Sequence, residues 1–444
     1  MAAELDTLLR ARRAVVGGRE VAVGLGIRGG RIASLGSYDD RPDATQVLDL
    51  ADDEVLLPGL VDTHVHVNEP GRTDWEGFAS ATRAAAAGGV TTVVDMPLNS
   101  IPATTTLDAL EQKREVARDQ VWVDVGFWGG SVPDNLAELA PLHRAGVFGF
   151  KCFLLDSGVA EFPHLEPAQF RAAIGETAGL GALMLVHAED ADEIDDVHGP
   201  TYAGFLASRP TTAEERAIDL VLDAARTSGG RAHVVHLSAA GAIPALREAR
   251  AAGVDVSVET CPHYLSFDAA EIPDGATEFK CCPPIRDRAN RDGLWAGLMS
   301  GDVDFVVSDH SPCTAELKRR GGGDFAEAWG GIASLQLGLA AVWTGARERG
   351  VGLATVAQWM ATAPARRVGL DDRGELAVGL RADLCVVAPD ETFTVEPARL
   401  HHKIPVTAWA GRTLTGTVRQ TWLDGRPVDL HAAPRGRLLR RGVA

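Results

Sequence analysis

Residues 61–96 read VDTHVHVNEPGRTDWEGFASATRAAAAGGVTTVVDM. An apolar, β-prone run (Val61–Val67) leads into an alanine-rich amphipathic stretch (Gly77–Ala87), and a second apolar run (Val90–Met96) follows at once. Near-continuous apolar runs suit parallel strands buried on both faces, and a helix between them is the crossover that parallel pairing requires. The unit recurs along the chain. Further strand-like runs lie at Val121–Phe127, Val147–Phe153, Leu183–Ala188, Ala232–Leu237, Val254–Thr260 and Asp304–Ser308, with helical stretches at Thr211–Thr227 and Gly241–Ala252 among them. Eight βα units predict an α/β fold, a closed (β/α)8 TIM-type barrel. An open doubly wound sheet carries the same alternation, but no convincing glycine-rich nucleotide loop accompanies it.

Outside this core the texture is different. Runs at Glu20–Ile27 and Arg31–Leu35, separated by Arg28-Gly29-Gly30, read as a hairpin. The pattern Gly24-x-Gly26-x-x-Gly29 matches the dinucleotide fingerprint in letters only, because a strand and not a helix follows it. After a helical stretch around Leu353–Val368, β character returns at Leu384–Val387, Thr392–Val395 and Thr415–Leu423, closed by Asp424-Gly425. Neither end is large enough to bury a core alone, so both are expected to build one small discontinuous β domain. The boundaries expected are 1–57 and 375–444 for its two parts and 58–374 for the barrel. The basic run Arg435–Arg441 reads as a solvated or interface tail.

Composition narrows the function classes. The 444 residues are 45% hydrophobic and 23% charged, an ordinary globular balance. Lys plus Arg number 43 against 61 for Asp plus Glu, a formal charge of −18, which repels nucleic-acid phosphates and anionic lipid. No nucleic-acid or membrane partner is therefore expected. Six cysteines without zinc-finger spacing suit a reducing cytoplasm. The N-terminal residues lack a secretory pattern, and no run of about 18 apolar residues occurs.

The polar residues of interest stand at the ends of the apolar runs. His64 and His66 share one side of a strand by period two, roughly 6.5 Å apart along the chain. His187 ends the run from Leu183, His236 nearly ends the run from Ala232, and Asp309 follows the run from Asp304. In a barrel these positions meet at the catalytic rim. A lone histidine there is more often structural, and a lone lysine such as Lys151 usually snorkels to solvent. Five imidazole or carboxylate groups at the ends of different strands outweigh that reading. Lys151, within Val147–Phe153, has neighbours that would desolvate its amine and lower its pKa; a neutral amine reacts with carbon dioxide to a carbamate able to bridge two cations.

The segments H64-V-H-V-N-E-P-G-R72, D95-M-P-L-N-S100, G149-F-K-C-F153, E259-T-C-P-H-Y264, K280-C-C-P-P-I-R286, S308-D-H-S-P-C313, W329-G-G-I332 and G374-E-L-A-V-G-L-R-A-D-L384 closely resemble the amidohydrolase superfamily, and within it the allantoinases. The similarity runs through almost the whole chain. By this resemblance His64 and His66 hold the more buried of two divalent metal ions, His187 and His236 the more exposed one, carbamylated Lys151 bridges both, and Asp309 completes the buried site and acts as the catalytic acid–base. Imidazole and oxygen ligands accept zinc, and also cobalt, manganese, iron or nickel. The resemblance further implies hydrolysis of a cyclic ureide, opening the hydantoin ring of allantoin to allantoate, substrate contacts at the main chain of Cys282 and Gly331, and a homotetramer. Relatives commonly carry Ser where this chain has Cys282 and Ala239.

Alternatives stay open. Dihydroorotases typically place an Arg where this chain has Asn68, suited to a substrate carboxylate, and their Met-Pro-Asn order is interrupted here by Leu98 before Asn99. A broad hydantoinase is the nearest enzymatic alternative, and a silent scaffold homologue is the non-enzymatic one. Cys152, Cys261 and Cys313 read as small buried hydrophobes. His263 and His310 read as supporting or structural residues. Arg319–Gly323 reads as a surface loop, and Trp329 as a packing residue.

Overall fold

The computed structural model describes residues 4–197 and 199–442. In chain order its strands are β1 (Leu5–Val16), β2 (Arg19–Arg28), β3 (Arg31–Gly36), β4 (Ala44–Asp49), β5 (Val55–Pro58), β6 (Leu60–Val65), β7 (Val90–Asp95), β8 (Asp124–Phe127) and β9 (Gly129–Gly130). There follow β10 (Phe150–Phe153), β11 (Leu183–His187), β12 (Arg231–Val234), β13 (Val256–Thr260), β14 (Phe305–Val306), β15 (Leu384–Thr394), β16 (Thr413–Leu423) and β17 (Arg426–Pro427).

The middle of the chain forms an α/β structure of parallel strands. A three-stranded sheet runs β6-β7-β8 and a six-stranded sheet runs β9-β10-β11-β12-β13-β14. Main-chain hydrogen bonds join the two at both ends. His66 N donates to the His310 carbonyl at 2.8 Å on one side, and Phe148 N donates to the Phe127 carbonyl at 3.0 Å on the other. Alternate strand residues serve different cores: Met184, Val186 and Val234 pack with helix residues such as Ile174, Val221 and Leu246. Their neighbours Leu183, Leu185 and Val235 join Val61, Val94 and Phe148 on the other face. This is why the runs are apolar at every position and not at alternate ones. The helix Thr211–Ser228 buries Ala217, Ile218, Val221, Leu222 and Ala225 on one stripe and stops at Gly229, whose φ of 68° is left-handed.

The two chain ends share one sheet, in the order β17-β16-β15-β5-β1-β2-β3 with β4 beside β1. The joint is an antiparallel ladder in which Leu384, Cys385, Val386 and Val387 oppose Pro58, Leu57, Leu56 and Val55. Gly24 and Gly26 lie within β2 of a hairpin and Gly29 is in its turn, so no phosphate-binding helix follows them.

One strand here was not expected, and two sequence expectations are corrected. The twelve-residue β1, LDTLLRARRAVV, is interrupted by Arg10, Arg12 and Arg13 and does not read as a strand; it lies inside the sheet between β2 and β4, where Arg10 lies over the Tyr38 ring at 4.4 Å and pairs with Asp49 at 3.2 Å. Leu384–Val387 and Thr392–Val395 are not separate strands but parts of β15, with a register break between Ala388 and Thr392 absorbing the intervening Pro-Asp-Glu. The basic tail is not simply solvated. Val125 N donates to the Arg437 carbonyl at 2.8 Å and Leu439 N donates to the Val125 carbonyl at 2.8 Å, so the end of the chain pairs beside β8. Among the described residues no helix is long and apolar enough to cross a membrane.

Candidate active site

Each predicted ligand is delivered by a parallel strand or by the few residues after it. His64 lies in β6 and His66 just beyond it, Lys151 in β10, and His187 closes β11. His236 and Asp309 come two and three residues after β12 and β14, with φ of 39° and 44°. Left-handed backbone at two non-glycine residues costs on the order of 1–3 kcal/mol each and persists only where the surroundings impose it. All six side chains are buried. They line one cavity of about 430 Å³, together with Asn99, Arg209, Lys280, Cys282, Trp329 and Gly331.

Within the cavity Asp309 Oδ1 lies 3.1 Å from His64 Nε2 and 3.7 Å from His66 Nε2, and it accepts from Ser311 Oγ at 2.8 Å. The His64 ring centroid is 5.5 Å from that of His66 and 5.4 Å from that of His236, and His187 meets His236 edge-on at 4.5 Å. Phe153 stacks on His187 at 4.6 Å, and Lys151 Nζ stands 4.9 Å from the same phenyl centroid. Burial pulls the Lys151 amine down to about 8, against the opposing pull of Asp309 and Glu259. Burial likewise lowers His187 to about 4, and His66 and His236 well below the ordinary imidazole range. It raises Asp309, although His64, Ser311 and Lys151 oppose it. His66, His187 and His236 are thus held neutral, with lone pairs available, beside a buried carboxylate.

That donor set fits divalent cations. His64, His66 and Asp309 each offer an atom within 4.8 Å of the others, and His236 Nδ1 is buried without a hydrogen-bond partner. A neutral imidazole with no partner and a carboxylate that burial penalises both gain from a cation in their midst.

The supports of these ligands were not legible in the sequence. Glu259 accepts from His64 Nδ1 at 2.5 Å and from His233 Nε2 at 3.0 Å. Burial alone would raise its carboxyl, but His64 and His233 outweigh that and hold it at about 2. A carboxylate inside the apolar run Val256–Thr260 was the available signal. Glu189 accepts from His187 Nε2 at 2.7 Å and from Arg209. Lys318 was also missed: its Nζ donates to the carbonyls of Lys280 at 3.0 Å, Trp329 at 3.1 Å and Gly331. Gly331 N donates to the Lys280 carbonyl at 2.8 Å, and a Cβ at Gly331 would stand 2.3 Å from the Ser311 carbonyl oxygen, so glycine is required there.

The remaining expectations fall out individually. His310 sits between Glu76, 3.1 Å from Nε2, and the Ser334 N–H, 3.1 Å from Nδ1. Both nitrogens of His263 are buried without partners, in a group with Cys261 and Asp309. Cys152, Cys261 and Cys313 are buried and free. Trp329 both packs, edge-on to Trp75 at 5.1 Å, and lines the cavity.

The description of the amidohydrolase family matches residues 55–428. The chain is 53% identical to the allantoinase of Streptomyces avermitilis over 99% of each chain. It is 48% identical to the allantoinase of Saccharomyces cerevisiae over 85% of this chain and 83% of the yeast protein. The solved L-hydantoinase (dihydropyrimidinase) of Arthrobacter aurescens superposes with a TM-score of 0.90 at 28% identity, covering 98% of both chains. A match across most of the length, with the cavity residues inside it, places the chain plainly: it belongs to the amidohydrolase family, among the allantoinases.

Proposed function

We propose that this chain hydrolyses the hydantoin ring of allantoin, a cyclic amide, to give allantoate. One observation carries the reading: six side chains of the type needed for a metal-assisted hydrolysis, far apart in sequence, share one buried cavity. The identity of 53% to an allantoinase across the whole chain selects this ring among cyclic amides.

His64, His66 and Asp309 would hold one divalent ion and His187 and His236 a second, with Lys151 as the carbamate between them. Zinc suits these ligands, as do cobalt, manganese, iron and nickel. When bound, such ions polarise the scissile carbonyl and lower the pKa of water to near neutrality. The chain's own residues do the rest. Asp309 Oδ1 is engaged by Ser311, which leaves Oδ2 to take the proton of the attacking water and return it to the departing ring nitrogen. The Lys151 amine, neutral above about 8, forms its carbamate by attack of Nζ on carbon dioxide with release of one proton. Cys282 and Gly331 lie on the cavity wall, where a neutral ring amide meets main-chain groups; the Gly331 carbonyl, already accepting from Lys318, keeps its second lone pair for a ring N–H.

The same reading includes a closed (β/α)8 barrel over residues 58–374 and a β domain of residues 1–57 and 375–444. The hydrogen bonds from His66 to His310 and from Phe148 to Phe127 support closure, since each links the two parallel sheets at an end. It also includes a homotetramer, as the family resemblance implies, and a cytoplasmic location, which six unpaired cysteines suit. The test is hydrolysis of allantoin, dihydroorotate and 5-substituted hydantoins by the metal-loaded protein. Allantoin is expected to be opened with the highest kcat/KM; robust turnover of simple hydantoins with none of allantoin would replace this substrate by the broader class.

A further inference from the structure

The four imidazoles at the cavity are not equally supported. Among the described residues His66 Nδ1 has only Asn99 Nδ2 at 3.5 Å, and His236 Nδ1 has no partner. His187 is held on three sides. Phe153 stacks on its ring at 4.6 Å with an interplanar angle of 17°, His236 abuts it edge-on, and Glu189 Oε2 accepts from its Nε2 at 2.7 Å. Stacking fixes the plane of the ring. Only Glu189 fixes which nitrogen points into the cavity.

Glu189 is fully buried, so its own orientation needs a cause. Arg209 supplies it, with Nε on Oε1 at 3.0 Å and Nη2 on Oε2 at 2.7 Å. A planar fork on both oxygens sets the angle of a carboxylate as well as its position, which a point charge does not. Arg209 is anchored in turn. Arg286 Nη1 donates to the Arg209 carbonyl at 3.1 Å and Nη2 to Glu214 Oε1 at 2.7 Å, while Glu214 Oε2 accepts from the N–H groups of Ser238 and Ala239 at 2.9 and 3.0 Å. The loop between the helices Tyr202–Ala207 and Thr211–Ser228 is thereby tied to the segment just after His236.

We propose that Arg209 is a positioning residue which, through Glu189, fixes the nitrogen that His187 presents to the cavity and so sets how tightly the ion shared by His187 and His236 is retained. This rests on the metal site proposed above. The partners behind a metal-binding histidine typically contribute 10–100-fold to metal affinity.

The test uses the cobalt-loaded full chain as wild type, Arg209→Met, Arg209→Lys and His187→Ala. Metal per chain is measured after dialysis against graded chelator, the visible cobalt spectrum is recorded, and circular dichroism checks the fold. Arg209→Met is expected to release one of two ions at roughly ten-fold lower chelator with an altered spectrum, and Arg209→Lys to fall between it and wild type. Arg209→Met that keeps both ions and the wild-type spectrum, while His187→Ala loses one, overturns the role of Arg209 and leaves the metal site standing. His187→Ala that itself retains both ions overturns the metal site and this inference together. If Arg209→Met does not fold, Arg209→Lys and Glu189→Gln replace it: wild-type retention by both overturns the proposal, and weakened retention of one ion supports it.

Discussion

Asp309 and Lys151 carry the sharpest chemical demands in the cavity, because both are ionisable and both are buried. Replacing Asp309 with Asn keeps the shape of the side chain but removes the proposed base, so allantoin turnover is expected to fall by about 10²–10⁴-fold in a folded protein. Steady-state kinetics beside a thermal melt checks this; activity within ten-fold of wild type would remove Asp309 from the proton path. Lys151→Ala removes the proposed bridging group. It is expected to lose activity and part of its metal, and to recover some of both when short carboxylic acids are added, since a free carboxylate can enter the space left by the carbamate. Full activity without any additive would refute the bridge. At this scale the ligand types were legible, because imidazole and carboxylate at the ends of apolar runs are conspicuous. Glu189 and Arg209 were not: nothing in the letters links them over the intervening loop until the fold brings the fork onto the carboxylate.

Strands and loops show a second kind of dependence. The strands as formed are shorter than the apolar runs; Asp304–Ser308 yields only Phe305–Val306, and Ala232–Leu237 yields Arg231–Val234. The residues left over are those that turn out of the ladder at the rim. His236 and Asp309 do so in left-handed conformations that no sequence period reveals. Lys318 is the corresponding device in a loop: its ammonium gathers three carbonyls from Lys280 and the Trp329–Gly331 turn. Burial pulls it down to about 8 from the ordinary 10.5. An unfolded chain keeps that proton until about pH 10.4, so between about 8 and 10.4 the unfolded state binds more protons and the native state gains stability as pH rises. Below about 8 both states are protonated and the burial cost is fully present. Lys318→Met is therefore expected to reduce the gain in denaturant midpoint between pH 7.5 and 10 relative to wild type. It should also raise KM for allantoin by loosening the wall at Gly331. An unchanged pH gain, read from parallel urea titrations, would show that Lys318 does not titrate in this window.

For the molecule as a whole, the cavity concentrates four imidazoles and a buried carboxylate that a bound cation would stabilise together. Removal of metal by a chelator should lower the melting temperature, and readdition of zinc with bicarbonate should restore it. At a free metal concentration 100 times the Kd, the linkage amounts to about 2.7 kcal/mol for a single site. Identical melting curves with and without chelator, at confirmed metal loss, would mean that the cavity is preorganised without its ions. A second network ties the parallel sheets to the terminal sheet. Arg373 Nη1 donates to Asp124 Oδ2 at 3.0 Å, Arg381 Nε to Asp383 Oδ2 at 3.0 Å, and Asp383 Oδ1 accepts from Asp424 N at 2.8 Å. Such buried pairs are poor sources of net stability, but removing one partner leaves an uncompensated charge.

By itself the sequence determined the alternation of parallel strands and helices, the return of β structure at both ends, and five imidazole or carboxylate side chains that line the cavity, with Lys151 added by the family resemblance. These follow from local period and from the cost of placing polar groups at the ends of apolar runs, quantities that a short window of residues contains. Only the tertiary structure decided that the arginine-rich β1 is a strand, that the basic C-terminal run pairs with Val125, and that Glu259, Glu189, Arg209 and Lys318 brace the cavity. Each of those depends on a partner far along the chain, and the free energy of a buried ion pair or a backbone bridge exists only once both halves are in place.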